Sequence, residues 1–138
     1  ARAAAARAHG STVLFAVDTL EHLRRGGRLG PVAAALGTVL GMRPVLGVRD
    51  GRIEVVDKVR TSARARDRVV SLTVEDARRR RRPVVAVHHL GDPDLAADLA
   101  ERIEAQVPAV HRVHVAEVSA VVGAHVGPGL SAAVVADA

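Results

Sequence analysis

Two local signals in this chain require opposite strand pairings. Asp50-Gly51 sits between the β-prone runs Arg43–Val48 and Arg52–Val56. Asp-Gly accepts the two positive φ angles of a two-residue hairpin turn, so these strands run antiparallel. Further on, Val84–Val87 reads as a buried strand, Asp92-Pro93 opens a helix with Leu95, Leu99 and Ile103 on one stripe, and Val110–Val118 reads as a returning strand. A strand-helix-strand passage of this kind favours a parallel pair. The expected fold is α/β, a mixed sheet of about six strands with helices packed on it.

The remaining elements fill in around these two units. Ser11–Val17 is apolar and β-prone. Asp18 reads as a helix cap, with Glu21 three residues on completing a capping box. Leu20 and Leu23 face inward, and Gly26-Gly27 stops the helix. Pro31 opens a second helix with Val32, Ala35, Leu36, Val39 and Leu40 on its apolar stripe; Gly37 and Gly41 allow close backbone approach. The second hairpin strand continues through Lys58 and Val59 and delivers Arg60 at its end. Thr61 or Ser62 caps a helix carrying Ala65, Val69 and Leu72 on one face, ending in Arg78–Arg82 before Pro83. Ser119–Ala124 reads as a short helical turn and Leu130–Ala136 as the last strand.

Only one aromatic ring of the Phe, Tyr and Trp type is present, Phe15. The core must therefore be built from Val, Leu and Ala, which calls for closely spaced elements. The 138 residues suit one domain, and a hydrophobic content of 49% opposes disorder. With no cysteine, disulfides, thiolate zinc sites and cysteine nucleophiles are excluded. No apolar run reaches the roughly 18 residues of a membrane span. The chain lacks an initiator Met, and Ala1–Gly10 reads as the tail of a helix whose beginning is missing, so a fragment of a longer protein is expected.

The chemistry centres on Gly123-Ala-His-Val-Gly-Pro-Gly129. Three glycines and a proline surround one ionisable group, His125, and such a stiff loop suits a binding site as well as a tight turn. Arg28 follows directly on Gly26-Gly27, and Arg60 stands between a strand end and a helix start. Arginine presents a planar fork of donors suited to carboxylate or phosphate. With His125 these two would make a polar mouth on an aliphatic domain, fit for an amphipathic anion.

Other readings are weaker. The net charge of +5 and the run Arg78–Arg82 suggest nucleic acid, but stacking aromatics are almost absent. A solvated helix end accounts for the run better. His88-His89 and His111/His114 face opposite ways on strands, which opposes a shared metal. Asp57 and Glu117 are isolated acids, so an enzyme using His125 as acid or base lacks a paired group. No Walker loop, nucleophile elbow or dinucleotide fingerprint occurs.

Four motifs in order resemble one known family. Phe15-Ala-Val-Asp-Thr-Leu-Glu-His-Leu-Arg-Arg-Gly-Gly-Arg-Leu-Gly30, Arg43-Pro-Val-Leu-Gly-Val48, Lys58-Val-Arg-Thr61 and Gly123–Gly129 are similar to the DegV family of bacterial fatty acid-binding proteins, over residues 10 to 138. The resemblance implies a cytoplasmic carrier of two α/β domains that holds one long-chain fatty acid between them. It implies that the carrier presents the carboxylate to a separate fatty-acid kinase for lipid synthesis and has no catalytic activity or further cofactor of its own. By the same resemblance residues 1–138 are the C-terminal domain, without the N-terminal domain that completes the tunnel. His125 would hold the carboxylate, with Gly27, Arg28, Gly127 and Gly129 around the ligand. Arg28 and Arg60 would face the kinase. The bared apolar groove implies self-association of the fragment.

Overall fold

The computed structural model describes residues 2–36 and 41–138. Its elements are α1 (Arg2–His9), β1 (Thr12–Ala16), α2 (Glu21–Arg25), α3 (Gly30–Leu36), β2 (Arg43–Arg49), β3 (Arg52–Val59), α4 (Ser62–Arg79), β4 (Pro83–His89), α5 (Pro93–Gln106), β5 (Val113–Glu117), α6 (Ala120–Val126) and β6 (Ser131–Asp137). Among the described residues the six strands form one sheet in the order β3-β2-β1-β6-β4-β5. β4 and β5 are parallel, and every other neighbouring pair is antiparallel.

Both opposing signals hold. Asp50 and Gly51 take φ of 51° and 74°, as the tight hairpin requires. Asp92 caps α5 by accepting from the Leu95 N–H at 3.0 Å, with Pro93 in the first turn. Thr61, rather than Ser62, caps α4, accepting from the Arg64 N–H at 3.1 Å. The returning strand is shorter than the apolar run: Val110 is buried in the connection and β5 begins at Val113.

Three expectations need correction. Asp18 does not cap α2; Leu20 holds the cap position without a side-chain bond, and Thr19 Oγ1 accepts from the Glu21 N–H at 3.2 Å. His125 lies in the last turn of α6, so the glycine-proline loop follows the imidazole instead of enclosing it. The Arg78–Arg82 run is not one solvated helix end, because α4 stops at Arg79 and Arg80 turns back into the protein. Gly37, Val39 and Leu40 lie outside the described residues; Val32 of the same stripe is buried.

The sheet is covered unequally. One face packs on α4 and α5, through Val70, Val74, Leu99 and Ile103 against Val85, Val87 and Val135. Burying a Val or Leu side chain there contributes about 1.5–3 kcal/mol. The other face carries Phe15, Leu46 and Ala132 and is covered at one end by Leu23 of α2, Val32 of α3 and Val126 of α6. Further along the same face runs the cross-strand row Val48–Val13–Val134–Ala86. Here Val48 is 39% exposed, and Val84, two residues before Ala86 on β4, is 38% exposed.

Candidate functional site

The end of the sheet where β1, β3, β4 and β5 finish and β2 and β6 begin gathers the connections that carry the candidate residues. In α/β sheets, ligands favour the crevice beyond the carboxyl ends of the strands. Three segments meet there: the β1–α2 connection with α2, the α6–β6 connection, and the β3–α4 junction.

The α2 segment closes with two glycines that have different tasks. The Arg28 N–H donates to Leu23 O at 2.9 Å and the Gly27 N–H to Arg24 O at 3.1 Å. These are the paired bonds of a Schellman stop, with Gly27 left-handed at φ 73°. Gly26 has an ordinary φ of −78°. Its lack of a side chain serves His125 instead, because a Cβ on Gly26 would overlap Nδ1 and stand 2.8 Å from Cε1.

The α6–β6 segment is built to meet it. Ser119 caps α6 by accepting from the Val122 N–H at 3.4 Å. Gly123 lets the helix rest on Leu90, with 3.2 Å from its virtual Cβ to Leu90 Cδ2. Gly127 and Gly129 are left-handed at φ 77° and 86°. His22 covers Gly127 and the Asp18 carboxylate covers Gly129, each filling the place of a Cβ. His125 is half-buried; its Nδ1 is fully buried and has no hydrogen-bond partner among the described residues. A buried imidazole nitrogen is costly to leave unmatched, which marks this spot as unusual.

Arginines surround the junction. Arg28 is exposed and donates through Nη1 to Gly26 O at 2.5 Å, which holds its side chain beside the His125 packing site. Arg43 Nη1 donates to Asp18 O at 2.8 Å. The Arg24 guanidinium hydrogen-bonds Glu21 and holds its carboxyl below the usual range. Arg60, Arg43 and Asp18 line a cleft of about 400 Å³. His125 is not among the described residues lining that cleft, so Arg60 adjoins the His125 cluster through Asp18. Gly27, Arg28, His125, Gly127 and Gly129 form one cluster, and Arg60 lies next door.

A larger open cleft of about 910 Å³ lies at the opposite end of the sheet, between the β2–β3 turn, α1 and the later half of α4. It contains none of the six candidate residues. His89 is buried and accepts at Nδ1 from the Asp92 N–H at 3.3 Å, while His88 faces the other side of the sheet. Among the described residues no group of three metal-ligating side chains occurs, and no helix is long and apolar enough to cross a membrane. In the arginine run, Arg78 donates to Gln106 O, Arg79 pairs with Glu75, and Arg80 pairs with Asp76. Arg81 and Arg82 are exposed.

The family model described as "Uncharacterised protein, DegV family" matches residues 1–138. The chain belongs to the DegV family. A DegV domain-containing protein of Streptomyces coelicolor is 47% identical over 96% of the chain and 47% of its own length. A DegV family protein from Thermus thermophilus, solved in a study of fatty acid binding, shares 34% identity at a TM-score of 0.82, over 93% of this chain and 46% of the other. DegV of Bacillus subtilis, described as a fatty acid binding protein, shares 30% identity at 0.82, over 99% and 48%. The chain spans about half the length of the DegV relatives it matches.

Sequence reasoning missed Asp18, His22 and Gly26 as parts of this site. All three lie within the first DegV-like motif, where local patterning reads them as cap, helix and stop. Their packing partners lie in the last such motif, and no local signal reports a contact at that separation.

Proposed function

We propose that this chain is the C-terminal domain of a two-domain fatty acid carrier and recognises the carboxylate of a long-chain fatty acid. The observation that carries the reading is the placement of His125 at the sheet end, its ring half-buried with Nδ1 seated on Gly26 and without a partner among the described residues, and Arg28 tethered alongside. A buried carboxylate needs donors, and an imidazole with a neighbouring guanidinium supplies them. The relatives from Thermus thermophilus and Bacillus subtilis, described as fatty acid binders, support the ligand class. The partly uncovered row Val48–Val13–Val134–Ala86 offers an apolar wall to the acyl chain, worth on the order of 0.8 kcal/mol per buried CH₂. Gly27, Gly127 and Gly129 keep the backbone close to the head group.

In this reading an N-terminal domain closes the other side of the ligand. The carrier works in the cytoplasm without chemistry of its own and presents the carboxylate to a separate fatty-acid kinase. Arg28 and Arg60 are exposed beside the head-group end and so are the residues proposed to meet that kinase.

The test is mass spectrometry on a denaturing extract of the chain expressed together with the N-terminal half its relatives carry. One fatty acid per protein, lost in His125→Ala while the fold persists, is the expected result. A folded protein that yields no fatty acid and takes up none when offered overturns the reading.

A further inference from the structure

Three residues of the α2 segment meet three residues of the α6–β6 segment in antiparallel register. Asp18 covers Gly129, His22 covers Gly127, and Gly26 receives His125. The first set advances four residues at a time and the second two at a time. The two histidine contacts point in opposite directions. His22 reaches from α2 into the space over Gly127, and His125 reaches from α6 into the space over Gly26. Sliding one segment along the other would drive both rings into backbone.

We infer that His22 is a positioning residue for His125, acting as the return half of a clasp that fixes the imidazole and the loop after it. His22 has no hydrogen bond from its ring among the described residues, so the effect runs through shape. The ring occupies a place that no side chain on Gly127 can share. The neighbouring charges, Asp18, Glu21, Arg24, Arg25 and Arg28, lie on the same α2 segment and remain in every variant below. The effect on ligand rests on the fatty acid reading; the effect on His125 does not.

The experiment compares His22→Ala with His22→Phe, which restores an aromatic ring without nitrogens. Two readouts are free of ligand: the NMR resonance of the His125 Cε1–H, and hydrogen exchange of the amides of Gly127 and Gly129–Ser131. A third is the fatty acid retained by the longer protein. In His22→Ala the His125 resonance moves, exchange speeds up about tenfold, a local opening rather than global loss, and retained fatty acid falls. In His22→Phe all three return towards the original. An unchanged His125 resonance in His22→Ala overturns the inference. So does a His22→Phe protein that behaves like His22→Ala, because His22 would then act through its nitrogens. A protein that never carries fatty acid sinks the ligand reading while the first two readouts still decide the clasp.

Discussion

The imidazole of His125 stands where a side chain on Gly26 would be, so the two residues exclude each other's growth. Gly26-Gly27 looks like one helix stop in sequence, yet its halves answer to different constraints. Gly26 is a contact glycine and Gly27 a conformational one.

Alanine separates them. Gly26→Ala keeps an allowed backbone at φ −78° but pushes His125 away, costing about 1–3 kcal/mol as overpacking and abolishing fatty acid retention. Gly27→Ala meets no protein atom at φ 73°, so it costs about 1 kcal/mol of backbone strain and lowers retention less than Gly26→Ala does. Urea melts and lipid extraction of both variants check this. Equal retention in the two would refute the assignment.

Arg80 is expected to matter far more than its neighbours. Its side chain is 13% exposed and reaches Asp76 at 2.8 Å, Asp137 at 3.3 Å, Thr12 Oγ1 at 3.1 Å and Gly10 O at 3.0 Å. Arg80→Ala strands the partly buried Asp76 carboxylate and removes the donors to Thr12 and Gly10, and should destabilise by about 2 kcal/mol. Arg81→Ala should stay within about 0.5 kcal/mol. Chemical denaturation of the two single variants gives the comparison directly. It also means that any test of nucleic-acid binding should neutralise Arg81 and Arg82 and leave Arg80 in place.

Stability should fall at the acid end partly through Asp57. Its carboxylate accepts from Arg68 at 2.6 Å and from the Lys58 N–H at 2.8 Å, and these bonds hold its pKa below the ordinary value. A carboxyl lowered in the folded state adds stability above its unfolded pKa of about 4 and loses it as pH falls through the folded value. The pair is partly exposed, so its worth is at most about 1 kcal/mol. Asp57→Asn should narrow the gap between melting temperatures at neutral and strongly acid pH. A gap as wide as before would assign the acid sensitivity elsewhere.

The chain by itself should self-associate. Val121 is 73% exposed and Val122 45% exposed on α6, in addition to Val48 and Val84 on the sheet. Light scattering over a concentration series should show mass rising, and Val84→Lys should suppress the rise. A constant monomer mass at every concentration would show that these valines are not sticky enough to matter.

The hairpin, the crossover and the caps at Thr61 and Asp92 were legible because each is decided within a few residues. Strand order was less so. β6 lies between β1 and β4, and nothing in Ser131–Asp137 says which strands it will join. The site was half legible for the same reason. His125, Gly127 and Gly129 stand out as a local oddity, and Arg28 follows a visible glycine pair. His22 and Asp18 do not stand out, because their importance comes from glycines a hundred residues away. Asp18 was drawn to a cap by pattern, whereas Thr19 is the residue that accepts the first-turn amide.

The central place of β6 also sets an order of events. Thr12 pairs with Val135 and Pro83 pairs with Asp137. During synthesis the β1–β3 meander and the β4–α5–β5 unit emerge first, as two separate sheets with no strand between them. Of the described strands β6 comes last in sequence and joins them, and long-range closures of this kind are slow. The glycine loop enters immediately ahead of that strand, so the corner that holds His125 takes shape together with the joining of the two halves of the sheet. His125 therefore finds Gly26, some hundred residues earlier in the chain, through the same closure that completes the sheet.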